Sequence, residues 1–238
     1  MLNVITVKWG DKYSSDYVNR LSIMLERNLT IPFRMYCYTD DPIGIDNGIN
    51  IIDIPKDEYL EGWWNKVGLF KESMPYIGRC LYLDLDTVIQ NNIDDLFNYE
   101  PDIICGVWTY WNLIYTDGEY QYKKLRWKIP FNSSVMTWNA CDYYWIWDHF
   151  WENHNDYIMK YYGDDKFLGH ELDVYRIFPQ EWIYSRLYGN SETDKPTDLI
   201  NLGNNRYHRA HYYPDAKICL LNGPTTPAYY KKFESLWL

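Results

Sequence analysis

Short apolar runs broken by turn-forming residues set the rhythm of this chain. The first run, residues 4–9, reads as a strand and is followed by a loop at Gly10-Asp11-Lys12. Ser14, Ser15 and Asp16 then offer an N-cap, and Tyr17, Leu21, Met24 and Leu25 recur at helical spacing. Residues 34–38 alternate like a second strand and end in a turn at Thr39-Asp40-Asp41-Pro42. A third strand is predicted over 49–54, stopped by Pro55, and a short helix over 62–71. Next comes the run Cys80-Leu81-Tyr82-Leu83-Asp84-Leu85-Asp86-Thr87, which reads as a buried strand. Beyond it the pattern predicts a helical turn at 93–97 and strands at 102–108, 131–139, 174–178 and 217–221. Helices are expected over 142–152 and from Gly163-Asp164-Asp165 onward. Residues 110–129 show no clear period and read as a functional loop or lid, with a turn at 116–119. Residues 189–206 are polar and loop-like. Strands alternating with helices predict a three-layer α/β sheet, and the length suits one domain or two intimately packed halves.

Two carboxylates, Asp84 and Asp86, close the central run. Ligands bind at the C-terminal ends of strands in open α/β sheets, and strand alternation puts residues two apart on one side. Paired oxygen ligands of this kind suit a hard divalent cation, Mg²⁺ or Mn²⁺, which can then hold phosphate oxygens. The plainer alternative is a pair of solvated loop aspartates.

Composition narrows the partners. The 238 residues are 47% hydrophobic, enough for a sizeable core, and the formal net charge is −10. That charge argues against nucleic acid and anionic membranes, and it means that a phosphate ligand needs a metal or a local cation. Cys37, Cys80, Cys105, Cys141 and Cys219 are widely spaced without a C-x-x-C, and they read as reduced core residues of a cytoplasmic protein. No signal peptide is visible ahead of the first strand. No apolar stretch approaches the roughly 18 residues of a membrane span. The 25 tyrosines and 12 tryptophans supply flat faces that can stack on sugars or bases, or simply fill core edges.

Three segments in order carry a resemblance: Tyr82-Leu83-Asp84-Leu85-Asp86-Thr87, then Phe131-Asn132-Ser133-Ser134-Val135-Met136, then Gly163-Asp164-Asp165. Together they resemble the GT-A-fold nucleotide-sugar glycosyltransferases, specifically the family-8-like group that includes glycogenin. Val7-Lys8-Trp9-Gly10, Tyr17-Val18-Asn19-Arg20-Leu21 and Cys37-Tyr38-Thr39-Asp40-Asp41 are similar to small, often phage-encoded relatives. An Asp-x-Asp alone recurs by chance; the ordered set, spanning about the whole chain, is far more specific.

The resemblance implies a metal-dependent transferase that moves a hexose from a UDP-sugar, with retention of anomeric configuration, to an acceptor that is saccharide, protein, lipid or small molecule. It implies that residues 1–100 form the nucleotide half, and residues 101–238 the donor-sugar and acceptor half. Asp86 would be the principal metal ligand. Asp84 would bind metal and ribose, with the Leu85 backbone close to the ribose. Val7, Lys8 and Tyr13 would border the base. Asp40 would bond base or ribose, or else form an Asx-turn before Pro42. Lys66 would reach donor sugar or phosphate, or else be a solvated helix lysine. Asn132 and Ser133 would face the sugar, with an N-cap-like or turn role as the alternative. Asp164 and Asp165 match a family Asp-Gln pair beneath the anomeric carbon. The aspartate at 165 departs from that pattern and could act as nucleophile, stabilise an oxocarbenium ion, or cap the next helix. Near the C-terminus the family's metal-binding histidine and phosphate-binding lysine are replaced. Leu220 cannot bind metal, Asn222 offers an amide oxygen, and Thr226 stands for the lysine. His208 and His211 lie just upstream as substitutes, or as ordinary surface or core histidines. The aromatic segment 108–128 and the region 181–212 are expected to contact the acceptor.

Two other readings compete. Asp84-Leu85-Asp86-Thr87-Val88 also fits the haloacid-dehalogenase phosphatase pattern, although three strands precede it here and the stretch before Gly163 is no clean apolar strand. A catalytically degenerate nucleotide-sugar-binding module fits the C-terminal losses.

Overall fold

The computed structural model describes residues 1–109, 113–116, 119–122, 130–191, 194–203, 206–222 and 231–237. Its strands are β1 (Leu2–Lys8), β2 (Phe33–Thr39), β3 (Asn50–Asp53), β4 (Arg79–Leu83), β5 (Thr87–Ile89), β6 (Cys105–Trp108), β7 (Leu113–Thr116), β8 (Glu119–Tyr122), β9 (Phe131–Asn139), β10 (Arg176–Ile177), β11 (Ile183–Ser185), β12 (Asp198–Gly203), β13 (Arg206–Ala210) and β14 (Ile218–Leu220). Its α-helices are α1 (Ser15–Asn28), α2 (Asp94–Asn98), α3 (Trp145–Glu152), α4 (His154–Lys160), α5 (Asp164–Glu171) and α6 (Glu234–Trp237). A 3-10 segment runs through Gly62–Phe70.

Seven strands form one mixed sheet in the order β10-β6-β9-β4-β1-β2-β3. β1 to β4 are parallel to one another, whereas β9 runs antiparallel to both β4 and β6. The central strands are apolar on both faces because both are covered. Along β4, Cys80 and Tyr82 enter one core, and Leu81 and Leu83 enter the other. β2 does the same with Tyr36 and Tyr38 against Met35 and Cys37. One core lies under α1, α2 and a smaller sheet of order β11-β14-β5; the second lies under the 3-10 segment, α3 and α5. This mixed α/β sheet in a single three-layer domain is the fold class read from the sequence.

Several expectations are corrected. The apolar run at 80–89 is two strands in two sheets, because Asp84–Thr87 is a β-turn closed by Thr87 N–H donating to the Asp84 carbonyl at 3.2 Å. Strand alternation therefore does not align Asp84 with Asp86. The predicted helix over 62–71 is the 3-10 segment, and the strand predicted over 174–178 shrinks to β10. The polar stretch 189–206 is no simple loop: its second half pairs as the β12–β13 hairpin. Within 110–129, β7 and β8 pair as a hairpin, while Asp117-Gly118 of the expected turn lies outside the described residues. Four cysteines are buried as expected, but Cys141 is exposed. Among the described residues no helix is long and apolar enough to cross a membrane.

Candidate active site

The Asp84–Thr87 turn is held at both ends. Asp84 N–H donates to Ser134 O at 2.9 Å, and Leu221 N–H donates to Asp86 O at 2.9 Å. Leu85, 4% exposed, is driven into the core between the two aspartates. Both carboxylates thereby face one cavity of about 260 Å³, together with Val7, Trp9, Tyr13, Tyr82 and Asn222. A second cavity of about 370 Å³ adjoins it and is lined by Asn132, Ser133, Tyr162, Asp164, Asp165 and Lys166. Trp63, Lys66 and Asp84 line both.

Local packing explains why these groups converge. β9 runs past the end of β4, which brings Asn132 and Ser133 beside Asp84. Its start lies close to β6 at Gly106, where a Cβ would meet Phe131 at 2.5 Å and Asn132 O at 2.9 Å. Asn65 fixes the 3-10 segment that carries Lys66: its side chain accepts from Leu60 N–H at 3.1 Å and donates to Gly62 O at 3.2 Å. Gly163 lets α5 begin against Trp63, whose Nε1 would sit 2.8 Å from a Cβ there. The first two residues of α5 are Asp164 and Asp165, where backbone N–H groups favour negative charge.

Charge is distributed unevenly along this groove. Lys66 Nζ contacts Asp84 Oδ1 at 2.8 Å and donates to Ser133 Oγ at 3.3 Å. Burial alone would lower the Lys66 pKa, but Asp164 and Asp84 outweigh it and raise it. Asp84 also accepts from Tyr82 OH at 2.6 Å, and Asp86 from Tyr13 OH at 3.0 Å. Burial and then the Asp84 charge push the Asp86 carboxyl up, with Tyr13, Lys12 and Lys66 opposing. At the far end Asp165 accepts from Lys166 Nζ at 3.0 Å and from Asn132 Nδ2 at 3.3 Å. Asp164 is 2% exposed; burial, then Asp165, push its carboxyl up to about 6 against the pull of Lys66. Its Oδ2 has no partner among the described residues.

Most sequence-predicted residues meet in this groove: Val7, Tyr13, Lys66, Asp84, Leu85, Asp86, Asn132, Ser133, Asp164, Asp165 and Asn222. Lys8 and Asp40 line neither cavity. Lys8 Nζ donates to Asp41 O at 3.1 Å, and the Asp40 carboxylate accepts from Gly10 N–H at 3.1 Å. The Asx-turn before Pro42 belongs to Asp41, which accepts from Ile43 N–H at 3.0 Å. His208 is exposed on β13, and His211 is buried against Tyr213 OH at 3.1 Å; neither lines the groove. Leu220 is buried in β14, and Thr226 lies outside the described residues. No described residue of 181–212 lines either cavity. The segment 108–128, the other expected acceptor region, is described only in part. Sequence reading missed Trp9, Lys12, Trp63, Tyr82, Ser134, Tyr162 and Lys166. Their only signal was position, since each adjoins or lies near a candidate already named.

Three comparisons place this architecture. An active-site mutant of LgtC superimposes with a TM-score of 0.68 at 13% identity, over 98% of this chain and 94% of that one. The galactosyltransferase LgtC in complex with donor and acceptor sugar analogs gives 0.65 at 14% identity, over 99% and 95%. The fold is that of a GT-A-type glycosyltransferase. GlyE of Streptococcus pneumoniae TIGR4, also a glycosyltransferase, gives 0.57 at 14% identity over 79% of this chain and 48% of its own. No protein-family model and no curated protein sequence matches the chain.

The residues present fit a divalent cation. Asp84 and Asp86 are hard oxygen donors facing one cavity, and the Asp86 charge is only partly compensated by protein groups. Among the described residues no group of three or more His, Cys, Asp or Glu side chains could hold a metal.

Proposed function

We propose that this protein transfers a hexose from a UDP-sugar to an acceptor, with Mn²⁺ or Mg²⁺ held by Asp84 and Asp86. One observation carries the reading: Lys66 and Asp84 line both cavities, so the Asp84/Asp86 turn and the Asp164/Asp165 pair flank a single groove. A nucleoside diphosphate at the turn would set its sugar toward Asn132, Ser133 and α5. A divalent cation there supplies positive charge where negative charge builds on the departing diphosphate. Lys66 adds a fixed ammonium on the sugar side of the same point. Val7, Trp9 and Tyr13 form the wall available to the base, while Asn132, Ser133 and Asp164 offer hydrogen bonds to sugar hydroxyls. Asp165, held by Lys166 and Asn132, places a carboxylate for the anomeric centre, either as nucleophile or as partner to an oxocarbenium ion. The first route retains configuration by two displacements, and the second retains it when the acceptor attacks from the face that the diphosphate leaves. In this reading residues 1–100 serve mainly the nucleotide, and residues 101–238 the donor sugar and acceptor.

The phosphatase reading gains no support. Gly163-Asp164 begins a helix and follows α4, with no strand leading into it.

Calorimetry of UDP binding with Mn²⁺ and with EDTA tests the proposal, followed by assay of UDP release from UDP-hexoses. Metal-dependent binding with turnover is expected. Binding without turnover would leave the degenerate module, and absence of binding in both conditions would remove the reading.

A further inference from the structure

Asn222 occupies a position where two opposite chemistries are open to a carboxamide. Its oxygen could ligate a cation, or its NH₂ could donate to an anion. It directly follows Leu221, whose N–H bonds the Asp86 carbonyl, and it lines the cavity that holds Asp84 and Asp86. Its orientation is set by Ser185, fully buried at the end of β11. Ser185 Oγ accepts backbone N–H from Leu187 at 3.3 Å and from Tyr188 at 3.1 Å. Those bonds use both hydroxyl lone pairs, so its one hydrogen must be donated onward. The receiver is Asn222, 2.6 Å away, a separation typical of O–H···O and short for N–H···O. A hydrogen needs an acceptor, so the carboxamide turns its oxygen to Ser185. Flipping the amide would set an N–H against a hydroxyl that has no lone pair left, deep in the protein, at the cost of an unmade buried bond.

Ser185 takes one of the two lone pairs of the amide oxygen and turns that oxygen toward the end of β11, so the NH₂ is the end of the carboxamide we assign to the cavity. We propose that Asn222 is a hydrogen-bond donor to the diphosphate of the nucleotide, not a metal ligand, and that Ser185 is its positioning residue. The inference rests on the UDP-sugar reading above and assigns the anion contact within that site. It suits the local electrostatics. A cation facing Asp84 and Asp86 already has two carboxylates, whereas a diphosphate entering this acidic groove needs donors. Two amide hydrogens beside the cation bring no further negative charge.

The test uses the full chain and two probes. Mn²⁺ alone is titrated by electron paramagnetic resonance, and UDP is titrated by calorimetry in saturating Mn²⁺. Asn222→Ala is expected to leave the Mn²⁺ Kd within about twofold of wild type and to raise the UDP Kd about tenfold, as for a lost charge-assisted hydrogen bond. Ser185→Ala should raise the UDP Kd by a smaller factor and again spare Mn²⁺, while uridine affinity stays constant in both variants. A purely structural role would weaken uridine as well, and that result overturns the proposal. So does a Mn²⁺ Kd raised severalfold by Asn222→Ala, or a UDP Kd left unchanged. Should the alanine variant fail to fold, the near-isosteric Asn222→Asp removes the same donors and is expected to weaken UDP more than tenfold; tighter UDP binding would overturn the assignment. Failure of the parent reading looks different, because wild type itself would then not bind UDP in Mn²⁺.

Discussion

The groove has a pair of aspartates at each end, and the two pairs are held by opposite means. Asp84 and Asp86 sit on a tight turn between two sheets, and Asp86 is met directly by a neutral phenol, Tyr13. Asp164 and Asp165 sit on the first turn of α5, and Asp165 has its own ammonium partner in Lys166. Among the described residues Asp84 is paired with Lys66, but Asp86 meets only the Tyr13 phenol directly, with Lys12 and Lys66 acting on it through space, whereas Asp165 is paired with Lys166 in contact. Identical side chains thus acquire different chemistry from their surroundings, with Lys66 joining the two ends.

The sharpest way to break that contrast is to remove the joint. Lys66→Met leaves Asp84 and Asp164 facing each other across the groove without a shared cation. A loss of about 3–5 kcal/mol in urea unfolding at pH 7 is expected, as for a broken buried ion pair. The Lys66 pKa is raised in the fold, so its stabilisation is complete at every pH below its ordinary value of 10.5 and fades only as pH rises through the higher folded value. A loss under about 1 kcal/mol would mean that the two ends are electrostatically independent.

Next comes the Asp84/Asp86 end. Asp86→Asn should weaken UDP binding in Mn²⁺ by at least about a hundredfold, roughly 2.7 kcal/mol. The far-UV circular dichroism should stay unchanged. Unaltered affinity would sink the assignment of Asp86. At the Asp164/Asp165 end, Asp165→Asn keeps the shape but removes the charge. It should lower kcat by about ten- to a hundredfold while leaving the KM for UDP-sugar within about threefold. A KM effect without a kcat effect would make Asp165 a binding group only.

The smallest effect sharpens the contrast through pH. Asp164 has a folded pKa of about 6 against an ordinary 3.8, so the folded state holds the proton more tightly. Stability contributed by this group therefore falls as pH rises from about 4 to about 6. Asp164→Asn escapes that penalty and should be more stable than wild type at pH 8, by on the order of 1–3 kcal/mol. The difference should close as pH falls through this window. Denaturant curves at pH 8 and pH 4.5 check it; a gain of equal size at both would assign the effect to something other than ionisation.

Much of this was legible in the sequence, for identifiable reasons. The parallel strands β1, β2 and β4 are apolar on both faces, so their runs stand out. The Asp84/Asp86 pair was visible, but not its geometry. An apolar Leu85 between the aspartates looks the same whether the backbone continues as a strand or turns with Leu85 buried. The β12–β13 hairpin escaped because Leu199 and Tyr207 are largely exposed, so no alternation of buried and exposed positions marks it, although Ile200 is buried in the core. Trp63, Tyr162 and Lys166 escaped for a different reason. Their place in the groove depends on how the 3-10 segment meets α5, a long-range contact without a local pattern.

The turn at Asp84–Thr87 is also a physical link between the two sheets. Its two clasping amides face different sheets: Asp84 N–H bonds Ser134 O of β9 in the larger sheet, and Leu221 N–H, just past β14 of the smaller sheet, bonds Asp86 O. Hydrogen exchange at these amides would report whether the smaller sheet detaches from the larger one as a unit. Each such opening would pull Asp84 and Asp86 apart and release whatever bridges them. A bridging ligand should therefore slow exchange at both positions together, making occupancy by the ligand readable from two backbone protons.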